Sequence, residues 1–355
     1  MSQAAIAITS TSADHGVTLY TLRNAHDMRI TISDRGATLV SWWAPDRYGR
    51  VADILLGYPD CQGYQHNPPY FGGLIGRWGN RIANGRFTLD GADYLVDRNE
   101  GSNHLHGGDS GFHLAQWQAE AGPDGLRLTL ESAEGEAGYP GNVQVSVLYR
   151  LDDDGRLSID YRARSDAPTP LNLTSHGYFN LNGGSADIYD HILAIAADQY
   201  LQIDSQLIPL DAASVAGSAF DFRQPAPIGP RLAWPDPQLK LASGFDHCYC
   251  LRPQHPLVPG ESRKPQPLRE VATVYDPGSG RQLALATTEN GLQFYSGNFL
   301  AGVQGRAAGA YARHDGFCLE AQAYPNQVNG ADAEAVILRP GQEYRQTTTY
   351  QLTVR

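Results

Sequence analysis

Six short segments concentrate the side chains that can act on a polar ligand. They are Gly76-Arg77-Trp78-Gly79-Asn80-Arg81, Asn103-His104-Leu105-His106-Gly107-Gly108, Thr174-Ser175-His176-Gly177-Tyr178-Phe179-Asn180, Gly244-Phe245-Asp246-His247, Gln293-Phe294-Tyr295-Ser296-Gly297-Asn298 and Phe317-Cys318-Leu319-Glu320-Ala321-Gln322. Their amides, guanidinium groups, carboxylates and aromatic rings suit a polyol. A neutral sugar presents hydroxyls that both donate and accept, and C–H faces that rest on rings. Glu320 follows the apolar run Phe317, Cys318 and Leu319. A carboxylate on an otherwise buried strand is costly unless it has partners or a task. His176 lies in the run Leu171 to Leu181, which also reads as a core strand, so a satisfied structural histidine is the alternative for that run taken alone.

The elements that must position these segments are strands. From Asn142 to Leu151, Val143, Val145, Val147 and Tyr149 share one face, with Gln144, Ser146 and Arg150 on the other and Leu148 as the exception. Leu157, Ile159 and Tyr161 alternate with Ser158, Asp160 and Arg162, and Asp152-Asp153-Asp154-Gly155 joins the two runs as a hairpin turn. Further strands are expected at Val17–Leu22, Met28–Ser33, Thr38–Trp43, Leu126–Leu130, Ile192–Ala196, Val271–Tyr275, Gln282–Ala286 and over Tyr344 to Val354, whereas four of the polar segments, at 76–81, 103–108, 174–180 and 317–322, interrupt the strand pattern. No amphipathic helix longer than two turns stands out. Short strands with turn signals between them predict an all-β chain, a large antiparallel β-sandwich, folded as a single domain over residues 1–355. The Pro-rich, basic stretch from Pro253 to Arg269 reads as a surface loop.

Composition narrows the partners. With 27 Lys and Arg against 38 Asp and Glu, the net charge of −11 repels phosphate backbones and anionic lipid, so neither nucleic acid nor membrane is expected as a partner. The four cysteines (Cys61, Cys248, Cys250 and Cys318) form no disulfide framework, and the first residues carry no basic, apolar leader, so a reducing, cytoplasmic setting is expected.

Taken together and in order, Gly-Arg-x-x-Asn-Arg, His-Gly-Gly, Thr-x-His-x-Tyr-Phe-Asn-Leu, Phe-Asp-His and Leu-Glu-x-Gln resemble the aldose 1-epimerase, or galactose mutarotase, family from about Met28 to the C-terminus. The resemblance implies a β-supersandwich that interconverts the α and β anomers of a neutral aldose. It implies Glu320 as general base and His176 as general acid. It also implies His106 near the ring oxygen and Asn80, Arg81, Asp246 and Gln293 as contacts to the sugar. Opening a hemiacetal needs one proton removed and one supplied, so neither cofactor nor metal is expected. An isolated histidine titrates near ~6.5 and would be a poor acid at neutral pH. A carboxylate neighbour, Glu320 or Asp246, is expected to raise His176. Ser175 and Gly177 depart from the residues that commonly flank the family's histidine, which bears on hydroxyl readout. The partner is expected to be an aldose, and the assembly a monomer or homodimer.

Other classes compete. A non-catalytic carbohydrate-binding or regulatory protein could use the same scaffold. A hexose-phosphate epimerase would need cations such as Arg77, Arg81 or Arg313 around a phosphate. A glycosidase would need two carboxylates, for which only Glu320 and Asp246 stand out. His104 and His106, two apart on a strand, could ligate a metal with His113 or Glu320, and Cys248-x-Cys250 is a weaker metal or redox pair.

Overall fold

The computed structural model describes residues 7–253, 266–306 and 309–355. Most of the Pro253–Arg269 segment, and the first six residues, lie outside that range.

Three antiparallel sheets carry the fold. The largest has nine strands, in the order Gln118–Gly122, Gly125–Ser132, Val143–Leu151, Arg156–Ser165, Tyr344–Val354, Arg281–Thr287, Arg269–Tyr275, Ile192–Ile195 and Ala226–Pro227. The expected hairpin is present, with Val147 opposite Tyr161 and Tyr149 opposite Ile159. Alternation works here because one face meets the core and the other meets water. The core takes Val143, Val145, Val147, Tyr149, Leu157, Ile159 and Tyr161. Leu148, the exception to the pattern, is nearly buried on the outer face beside Arg127 and Asp160.

A five-stranded sheet (Ala7–Ser12, Thr18–Arg23, Arg29–Ser33, Leu39–Pro45, Val51–Asp53) packs into the same core. The third sheet has six strands, in the order Tyr178–Phe179, Phe317–Gln322, Gly291–Tyr295, Asp246–Leu251, Ala197–Ile203 and Pro209–Ser214. Among the described residues the α-helices are two short pieces, Ile228–Leu232 and Pro237–Ala242. No helix of the described residues is long and apolar enough to cross a membrane.

The six-stranded sheet corrects part of the sequence reading. Segments expected to break the strand pattern are themselves strands, and Gly291–Tyr295 and Phe317–Gln322 are buried along their whole length. Burial on both faces erases the alternation of polar and apolar residues by which a strand is recognised. Leu292, Phe294, Phe317, Leu319 and Ala321 point into the sandwich core. Period two then sends Gln293, Tyr295, Cys318 and Glu320 to the opposite face.

Candidate active site

That opposite face is the floor of a cavity of about 370 Å³. Register places Glu320 beside Gln293, Cys248 beside Gln293 on the other side, and Asp246 beside Tyr295. Loops close over the floor. A two-stranded ladder, Arg81–Ile82 against His104–Leu105, brings Asn80, Arg81 and His106 in from one side. A second ladder, Thr174–Ser175 against Leu74–Ile75, delivers His176. Gly107 makes the close approach possible: its φ is +90°, and a Cβ there would sit 1.9 Å from the Gly76 carbonyl oxygen.

Asn80, Arg81, His106, His176, Asp246 and Glu320 all line this cavity. Gln293 does not reach the lining. Its Nε2 donates to Asp246 Oδ1 at 2.6 Å, so it bears on the cavity through that carboxylate. Arg81 donates to both oxygens of Glu100, at 2.7 and 2.6 Å, and its Nη1 lies 3.8 Å from Asp246 Oδ2. The guanidinium is thus fixed between two carboxylates, with its donors at the cavity wall. Asn80 Oδ1 accepts from the Arg81 N–H at 2.8 Å, which ties the two residues' orientation together.

His176 Nε2 lies 3.7 Å from Glu320 Oε1, and both side chains are almost fully buried. The expected carboxylate-driven rise in the His176 pKa is overturned. Burial dominates and pulls His176 down to about 4. Desolvation penalises the charged imidazolium more than a carboxylate at this distance compensates, because that carboxylate is itself destabilised. Burial, then the charge of Asp246, push Glu320 well above the usual carboxylate range, against a smaller pull from Arg81. Among the described residues Glu320 Oε2 finds no hydrogen-bond partner. Asp246 is raised by burial and lowered by Arg81 and by its bond from Gln293.

His106, His176 and Glu320 each bring one potential ligand atom within 4.8 Å of the others. The hydrogen bonding favours a proton donor over a metal ligand. His106 Nδ1 accepts from the Asn80 N–H at 3.1 Å, so the neutral ring carries its proton on Nε2 and both nitrogens are engaged or protonated. Burial, then the neighbouring His176 and Arg81, hold His106 well below its ordinary pKa, so it stays neutral. His104 is not its face-mate. The short strand ends at Leu105, and His106 turns away at φ +51°. His104 donates from Nδ1 to the Asp97 carbonyl at 2.8 Å and accepts at Nε2 from the Tyr139 hydroxyl at 2.6 Å, a structural histidine.

The remaining expected cations are committed elsewhere. Buried Arg77 donates to the carbonyls of Pro140, Ser132 and Ala133 and to the Ser132 hydroxyl. Arg313 lies in a separate groove beside Trp234. Of the aromatic candidates, Trp78, Phe179 and Phe294 are core, and Tyr178 lines the cavity. Neither Ser175 nor Gly177 lines it. Sequence reasoning missed Tyr70 and Glu100 in the wall and the apolar residues Leu207, Phe299 and Val303, while Tyr295, named only within its segment, lines the wall too. Glu100 stands in a polar turn with nothing to mark it, and Tyr70 follows Pro68 and Pro69 as an ordinary loop residue would.

The chain is similar to known proteins over nearly its whole length. A family model described as aldose 1-epimerase matches residues 18–351. The galactose mutarotase of Bos taurus is 43% identical over 330 residues, covering 92% of each chain. The aldose 1-epimerase of Escherichia coli (strain K12) is 41% identical over 337 residues, covering 94% of each. A solved structure of a galactose 1-epimerase from Lactobacillus acidophilus NCFM superposes with a TM-score of 0.83 at 27% identity, over 99% of both chains.

Proposed function

As this chain belongs to the aldose 1-epimerase family and interconverts the α and β anomers of an aldose, we propose that Glu320 and His176 carry the two protons of that reaction and that galactose is among its substrates. The observation that carries this reading is the convergence of two buried, oppositely perturbed titratable groups, 3.7 Å apart, on one sugar-sized cavity.

Ring opening proceeds with Glu320 as carboxylate and His176 as imidazolium. Glu320 takes the proton from the anomeric hydroxyl, the electron pair of that O–H bond becomes the new C=O bond, and the C1–O5 bond breaks. O5 receives the proton from His176. The products are a free aldehyde, a neutral Glu320 carboxyl and a neutral His176. Rotation about C1–C2 presents the other carbonyl face, and the same two protons return as the ring recloses.

The burial of the pair has a direct role in this cycle. The two groups share one proton in both states, so opening converts an ion pair into a neutral pair. A low-dielectric pocket favours the neutral pair, as the raised Glu320 and depressed His176 both express. In the free site the same balance keeps the proton on Glu320, so forming the reactive ion pair costs free energy that contacts to the bound sugar and Arg81 must offset. Proton transfer then returns the pair to its favoured neutral form. Arg81, which pulls Glu320 back toward its carboxylate form, supports the starting state. His106 offers its Nε2 proton as a neutral hydrogen-bond donor near the ring oxygen. Arg81, Asn80 and Asp246 hold the other hydroxyls, with Gln293 fixing Asp246 from behind. Each proton-transfer group is expected to contribute about 10²–10⁴-fold.

Polarimetry on freshly dissolved α-galactose tests the reading. E320Q and H176N should each lose at least about 10²-fold in kcat. Wild-type rates in either folded variant would refute the assignment. We place the oligomeric state at monomer or homodimer, a single fold unit, and the compartment at the cytoplasm. The absence of a disulfide among the four free cysteines supports the last.

A further inference from the structure

Tyr70 has no part in the proton transfers, yet its ring meets three imidazoles. Ring centroids lie 4.7 Å from His106, 4.7 Å from His113 and 5.7 Å from His176, the last nearly parallel at 29°. Tyr178 stacks on the same His176 ring at 5.1 Å, again at 29°. The Tyr70 backbone has a φ of +62°. A bulky aromatic rarely adopts that region, and such residues cluster where the surroundings over-determine a functional geometry. The surroundings here are explicit. Tyr70 N–H donates to the Asn67 carbonyl at 2.8 Å, and the Gly73 N–H donates to the Tyr70 carbonyl at 3.0 Å. The same loop is stitched to the histidine backbone, with Gly72 N–H donating to the His176 carbonyl at 2.9 Å and His176 N–H to the Gly73 carbonyl at 3.0 Å.

We propose that Tyr70 is a positioning residue for the reaction: its ring fixes the mutual angle of His106 and His176 and lends an aromatic face to the imidazolium form of His176. The proposal rests on the reading of His176 as general acid. Burial opposes the charged imidazole, and the negative face of a ring is one of the few neighbours that offsets this without adding a titrating charge. The phenol, pushed up to about 12 by burial and by the charge of Glu100, stays neutral and takes no part in proton transfer. The ring, not the hydroxyl, is the working part.

The test compares wild type, Y70L, Y70F and H176N by polarimetry across pH. Y70L is expected to lose about tenfold or more in kcat, from misplaced acid and donor groups, with a smaller change in KM. Its alkaline limb, where the Glu320–His176 pair loses its one shared proton, should move to lower pH. Y70F is expected to restore most of kcat and the wild-type limb. A folded Y70L with unchanged kcat and limb, or a change in KM alone, would overturn the proposal. An active H176N would instead overturn the acid assignment on which it rests. If Y70L does not fold, the wild-type protein decides. The Cε1–H resonance of His106, assigned by its loss in H106N, should be displaced by the ring current of Tyr70, and an undisplaced resonance would overturn the proposal.

Discussion

Acidification should unfold this protein at a pH where most globular domains are still stable. His104, His106, His113, His176, His191 and His247 are all buried. Burial depresses His104, His176 and His191 to about 4, His113 and His247 to about 3, and His106 well below its ordinary value. A group whose folded pKa is depressed contributes stability that is present above its unfolded value, here 6.5, and lost as pH falls toward the folded value. Three largely enclosed carboxylates work in the other direction: Asp53, Asp246 and Glu320 are raised by desolvation, so they bind protons more tightly when folded. Even if all three offset fully, three net protons favour the unfolded chain. Between pH 6.5 and pH 5 the loss is about 4–10 kcal/mol, comparable with a typical total of about 5–15 kcal/mol. Urea titrations followed by tryptophan fluorescence at half-unit pH steps measure this directly. A stability that is flat from pH 6.5 to pH 5, with acid unfolding confined below pH 4, would refute the reasoning, because only carboxylates would then be titrating.

Other outcomes follow from single side chains. E320Q should raise the thermal midpoint while abolishing activity. Glu320 has a raised folded pKa, so its penalty grows as pH climbs above its unfolded value of 4.5, and calorimetry should find the gap between variant and wild type widening as pH rises above 4.5. R81K breaks the two-pronged bond to Glu100 and should lower kcat/KM for galactose by about 10–100-fold, mostly through KM, in initial-rate polarimetry. R77M removes the donor from the Pro140, Ser132 and Ala133 carbonyls and the Ser132 hydroxyl and should cost about 3–5 kcal/mol in urea, with KM unchanged at temperatures where the variant stays folded.

The half-exposed strands were legible in one dimension because water on one side and core on the other impose period two. Val143–Leu151 and Arg156–Ser165 fall where their alternation puts them. The strands that carry the chemistry lack that alternation and read only as apolar runs. Both faces of Phe317–Gln322 are buried, so Glu320 is marked by its apolar company and by the Leu-Glu-x-Gln motif rather than by alternation. Asn80, Arg81, His106, Asp246 and His176 were found through the order of their motifs, and they line one cavity. Tyr70 and Glu100 escaped notice because their importance depends on contacts absent from local sequence: the stitching of the Asn67–Gly73 loop to His176, and the fork of Arg81. The His176 pKa departs from the sequence expectation for a related reason. A neighbouring carboxylate can be guessed from a motif, but the depth of burial that outweighs it is a property of the packed fold.

The relay of one proton pair between Glu320 and His176 is tested most directly by a double-mutant cycle. Anomeric exchange of galactose, followed by NMR saturation transfer, gives rates for wild type, E320Q, H176N and the double variant. Two groups that act as one unit should give a double variant scarcely slower than the slower single variant. Losses that multiply, or a single variant that retains the wild-type rate, would contradict the coupled transfer.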